Sequence, residues 1–152
     1  MSTNDEPRYE HTQVGYVTIG AGLFGLLIVG YGINADGKGI GVGSSIAAGA
    51  MGLLTVLFST LTVKVTQDEL IFYFGPGFWT KRFPLDDILS ADVVRTSPLA
   101  GWGIRYTFHG WLYNVSGLQA VELEIQGEGT IRIGTDEPEA LKRALDAAMV
   151  PV

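Results

Sequence analysis

The chain has 152 residues, 47% of them hydrophobic and only 17% charged, with a net charge of −6 and no cysteine. That length holds one domain, or a membrane segment plus a domain of roughly 90 residues, and excludes two enzymatic domains. The lack of cysteine excludes disulfides, thiolate metal sites and a cysteine nucleophile, and the acidic balance without a basic footprint argues against nucleic acid as a partner.

Residues 1–13 are acidic and lack the basic start of a cleavable signal peptide, so they read as an N-terminal tail on the cytoplasmic side. Two charge-free runs follow, 14–33 and 40–63, separated by a six-residue loop, 34–39. About 20 apolar residues in a helix cross a hydrocarbon core of about 30 Å. The sequence therefore predicts a transmembrane helical hairpin. Lys38 is alone in the loop while Lys64, Lys81 and Arg82 follow the second run, which predicts that both termini and the C-terminal domain are cytoplasmic.

Gly39, Gly43 and Ala47 recur at four-residue steps, as do Ser45 with Gly49 and Ala48 with Gly52. Small residues on one face let helix backbones approach closely, either within the hairpin or between copies of the chain. Gly20-Ala-Gly-Leu-Phe-Gly25 matches a dinucleotide-binding pattern with Asp36 downstream. That motif needs a strand before it, a helix after it and a parallel sheet around it, and a charge-free helical run supplies none of these.

From residue 62 the pattern changes to short β-branched and aromatic segments broken by turn residues. Strands are predicted at 62–66, 70–74, 78–83, 88–95, 102–108, 111–115, 120–125 and 130–134. A final helix is predicted over about 136–149, capped by Thr135 or Asp136, with Pro138 in its first turn. Its apolar stripe is Leu141, Ala144, Leu145, Ala148 and Met149.

Phe83-Pro-Leu-Asp-Asp-Ile88, Gly101-Trp-Gly-Ile-Arg105, Leu112-Tyr-Asn-Val-Ser-Gly117, Val121-Glu-Leu-Glu124 and Ile133-Gly-Thr-Asp-Glu-Pro-Glu139 are fold-shaping phrases. With the two apolar runs, they make the chain resemble the bacterial pleckstrin-homology-like (PH-like) membrane proteins with an N-terminal two-helix hairpin. The resemblance covers residues 62–150. It implies an α+β membrane protein: a transmembrane hairpin, then a PH-like antiparallel β-barrel or sandwich of about seven strands over 64–152, capped by a C-terminal α-helix. It also implies a multi-pass protein of the bacterial inner membrane.

No catalytic, cofactor-binding or metal-binding residue emerges, so the chain reads as a non-enzyme without a cofactor. His11 and His109 have no further ligand at metal-binding spacing. Asp86 and Asp87 are adjacent carboxylates that suit a turn. No nucleophile elbow, phosphate loop or zincin helix is present, and Asn114-Val-Ser116 is a chance glycosylation sequon.

With the second helix running straight into the first strand, Lys64, Phe78, Trp79, Lys81 and Arg82 become candidate contacts to membrane lipids, each cation contributing about 1 kcal/mol beside an anionic surface. The alternative is that the phenylalanines belong to the core and the cations to a solvated cluster. Where lipid-binding relatives carry basic residues between the first two strands, this chain has Gln67-Asp68-Glu69, which weakens any inositol-phosphate reading. The functional expectation is a membrane-apposed, self-associating binding or assembly module. A subunit of a transport complex, with an unknown protein partner, and an enzyme with scattered site residues stand as alternatives.

Overall fold

The structure, a computed structural model, describes residues 6–35 and 41–149; the side chains of 33–35 stand outside that description. In chain order the described elements are β1 (Tyr9–Val14), α1 (Tyr16–Ala35), α2 (Val42–Leu57), β2 (Thr60–Val65), β3 (Glu69–Phe74), β4 (Trp79–Pro84), β5 (Ile88–Arg95), β6 (Gly103–Thr107), β7 (Gly110–Asn114), β8 (Gln119–Ile125), β9 (Gly129–Gly134) and α3 (Pro138–Met149).

The strands form two sheets, one ordered β1-β2-β3-β4 and the other β5-β8-β9-β7-β6. Period-2 alternation sets the inner face of each. In β3, Leu70, Phe72 and Phe74 are fully buried while Ile71 and Tyr73 are only partly covered. Phe72 joins the sheets, its ring 5.0 Å from Tyr113 of β7 and 6.1 Å from Phe83 of β4. Val121, Leu123 and Ile125 of β8 and Ile131 and Ile133 of β9 complete the same core.

The apolar stripe of α3 closes this core, with Leu141 and Leu145 fully buried against β2, β5, β8 and the 3-10 turn at Leu85–Asp87. Burying each leucine contributes about 1.5–3 kcal/mol. Thr135 Oγ1 accepts a hydrogen bond of 3.1 Å from the Glu137 amide at the helix start. Lys142 Nζ donates to the Ala91 carbonyl at 2.8 Å and fixes the helix to β5.

Three sequence expectations are corrected. The strands do not make a single PH-like barrel of about seven antiparallel strands: they lie in a four-stranded and a five-stranded sheet, and β7 pairs with β9 in parallel. The segment read as a tail contributes β1, which pairs with β2 from Tyr9↔Val65 to Val14↔Thr60.

The transmembrane hairpin is not supported, because among the described residues no helix is long and apolar enough to cross a membrane. With it falls the placement of the chain as a multi-pass inner-membrane protein. The second apolar run shows one physical reason. Its helix stops at Leu57, and by Thr60 the chain is already a strand whose Leu61 and Val63 are core residues. Sixteen residues of helix reach only about 24 Å.

Candidate functional site

The β1/β2 ladder continues directly into the two helices, so α1 and α2 stand on a paired-strand base. The Gly15 amide donates to the Ser59 carbonyl at 2.6 Å, closing the base where both chains leave the sheet. Thr18 Oγ1 donates to the Val115 carbonyl at 3.0 Å, and Gln13 Nε2 to the Ser116 carbonyl at 3.0 Å, tying the root to the second sheet. On the other side the Phe58 ring packs 5.4 Å from Phe74 and 5.3 Å from Phe78.

The helices touch through glycine. A Cβ on Gly22 would overlap the Thr55 side chain, and one on Gly25 would lie 3.0 Å from the Met51 methyl carbon. Both residues belong to the glycine pattern in α1, whose use is thus close helix approach. The opposite side is open. Tyr16, Leu23, Phe24, Leu27, Ile28 and Tyr31 are exposed on α1, with Leu27 71% accessible. On α2, Val42, Ile46, Leu53, Leu54 and Val56 are exposed, and no residue is buried.

Of the expected small-residue face, Gly39 lies outside the described residues. Gly43 and Ala47 are exposed, and a Cβ on Gly43 would meet nothing within 4 Å among the described residues. Among the described residues, packing inside the hairpin uses the side of α2 that carries Met51 and Thr55 and not Gly43.

The expected lipid-contact residues separate into two groups. Phe78 and Trp79 lie at the hairpin root, because Gly75 turns against it: the Gly75 amide donates to the Thr60 carbonyl at 2.9 Å. Phe78 touches Phe58 there, and Trp79 pairs with Phe74. The basic residues lie further along the sheet and face carboxylates. Lys64 Nζ is 2.9 Å from Glu10, Arg82 is 3.5 Å from Glu69, and Lys81 is 3.9 Å from Glu128. Glu10 holds the Lys64 ammonium above its ordinary pKa through their hydrogen bond. Lys64 and Arg82 share the outer face through their register with Ile71, whereas Lys81 shares the side of Phe83. Period 2 thus splits the trio between two faces.

The remaining polar candidates have local roles. His11 Nε2 lies 2.6 Å from Asp136 Oδ1 and joins β1 to the start of α3. Asp86 and Asp87 fall in a single 3-10 turn. Asn114 is buried, its side chain accepting from the Ser116 amide and donating to the Gly117 carbonyl. No protein-family profile, curated protein or solved structure matches the chain.

Proposed function

We propose that the chain is an assembly module whose helical hairpin is covered by further copies of itself, the two-sheet domain serving as a rigid mount. The observation that carries this reading is that α1 is apolar on every side, yet α2 covers only one of them. A helix with apolar residues all round is stable when it is covered all round. The uncovered side is a large contiguous apolar surface of the kind that marks an interaction site.

Three features favour a second copy as the occupant. The described hairpin residues carry no charge, so the face can meet its own image without like-charge repulsion in a chain of net charge −6. Gly43 and Ala47 leave room for close backbone approach. Two adjacent helices, about 30 Å and about 24 Å long and each about 10 Å wide, present on the order of 500 Å² of projected face, a large part of the roughly 800 Å² that each partner buries in a standard interface.

The test is the native mass of the full-length chain with any co-purifying protein identified. A homogeneous homo-oligomer that dissociates when Leu27 and Ile46 are changed to Glu supports the proposal. A monomer, or a defined foreign subunit in place of the second copy, overturns it.

A further inference from the structure

Two clefts meet at Arg105, one rich in arginine and one apolar. The arginine cleft, of about 570 Å³, is lined by Arg95, Thr96, Arg105, His109 and Arg132 together with apolar residues such as Leu99, and no carboxylate among the described residues lines it. That is a marked local imbalance in a chain with 16 acidic and 10 basic side chains. Arg132 is held by Glu122 at 2.6 Å, but Arg95 and Arg105 make no ion pair among the described residues. Arg105 Nε donates to the Trp102 carbonyl at 3.2 Å, which orients the guanidinium and leaves its two terminal amino groups without a protein acceptor among the described residues. Thr96 also lines the cleft and is only 4% exposed.

The second cleft, of about 510 Å³, lies between the hairpin root and β6. Val17, Ala21, Leu54 and Phe58 line it on the hairpin side, Trp102 and Ile104 on the other, and Arg105 completes it. Both volumes fall within the usual range of small-molecule sites, about 300–1,000 Å³.

We infer that these clefts form one site for an amphiphilic oxyanion, a phosphate- or carboxylate-type head on an apolar body. The head is held by Arg95 and Arg105, and the apolar body lies between Val17, Ala21, Leu54 and Trp102. Guanidinium groups bind such heads through paired charge-assisted hydrogen bonds. A bare anion would leave the apolar cleft unused, and an uncharged apolar molecule would leave two arginines without a counter-charge. The site shares Leu54 with the exposed hairpin surface, but its test does not depend on oligomer mass.

The test is calorimetric titration of the full-length chain with monomeric dihexanoyl phosphatidic acid, dihexanoyl phosphatidylcholine and inorganic phosphate. In parallel, sedimentation with phosphatidylglycerol and phosphatidylcholine vesicles separates a bilayer headgroup from a soluble amphiphile. The expected result is that phosphatidic acid binds more tightly than either other solute. Arg105→Gln should weaken that binding about tenfold or more. Arg105 is exposed, so its replacement leaves the core intact. Ala21→Trp, at an exposed helix position, should weaken binding by filling the apolar cleft. Vesicle binding that falls in Arg105→Gln makes the source a bilayer lipid, and binding of the monomer alone makes it a soluble amphiphile; both support the site. Inorganic phosphate binding as tightly as phosphatidic acid, affinity unchanged in both variants, or no binding of any probe overturns it.

Discussion

Gly22 of α1 lies against Thr55 of α2 so closely that no side chain fits between them. Replacing Gly22 by Val therefore forces the helices apart at the point where the hairpin is anchored, at an expected cost of about 1–3 kcal/mol. Thermal unfolding followed by circular dichroism should show the loss, and Thr55→Ala in the same chain should restore part of it. Equal stability of Gly22→Val and the parent would show that the helices do not meet there.

Gly43 gives the opposite expectation, since a Cβ on it meets nothing among the described residues. Gly43→Leu should leave the melting temperature of the protomer nearly unchanged while lowering the mass of the assembly, measured by sedimentation. A change in stability without a change in mass would place Gly43 inside the fold instead of between copies.

The strands were largely legible because their signal is local. The predicted strand at 88–95 is β5, and the stripe led by Leu141 and Leu145 marks α3. What local patterns hide is pairing. β1 carries Glu10, His11 and Gln13 and holds its place through the ladder to β2, so its first five residues read as a tail and Val14 as the start of the apolar run. The uncharged run through residue 63 hides a change of state after Leu57, where helix gives way to a strand rich in Thr and Val. Lys81 and Arg82 are adjacent in sequence and for that reason point to different sides of β4. The arginine cleft draws on β5, β6 and β9 with the loop after β5, a combination that no single segment announces.

Alkaline pH should destabilise the domain. Burial first, and then the charge of Glu137, raise the Tyr9 hydroxyl from 10.0 to about 12. The unfolded chain thus gives up this proton at lower pH than the folded chain does. The stability linked to the neutral phenol is complete below about pH 10 and is lost as pH rises toward 12. Lys64, raised through its bond to Glu10, and Tyr113, raised by burial, act in the same direction. Two pKa units correspond to about 2.7 kcal/mol, which solvent screening at the partly exposed Tyr9 reduces to about 1–2 kcal/mol. Urea unfolding at pH 8 and pH 11 should show the loss, and Tyr9→Phe should diminish it; an identical pH dependence in the variant would exclude Tyr9 as a source.

Two cross-strand ion pairs should differ sharply in worth. Lys64 and Glu10 lie on the outer face with side chains 30% and 44% exposed, so water and salt screen their attraction. Replacing Lys64 by Met should cost less than about 1 kcal/mol, and the effect should vanish in high salt. Arg132 meets Glu122 at 2.6 Å across β9 and β8 with its side chain only 15% exposed. Arg132→Met leaves a partly buried carboxylate without its partner, at an expected cost of about 2–3 kcal/mol that salt reduces only slightly. Double-mutant cycles with Glu10→Gln and Glu122→Gln, run at low and high ionic strength, measure both couplings. Equal couplings would mean that burial does not control these pairs.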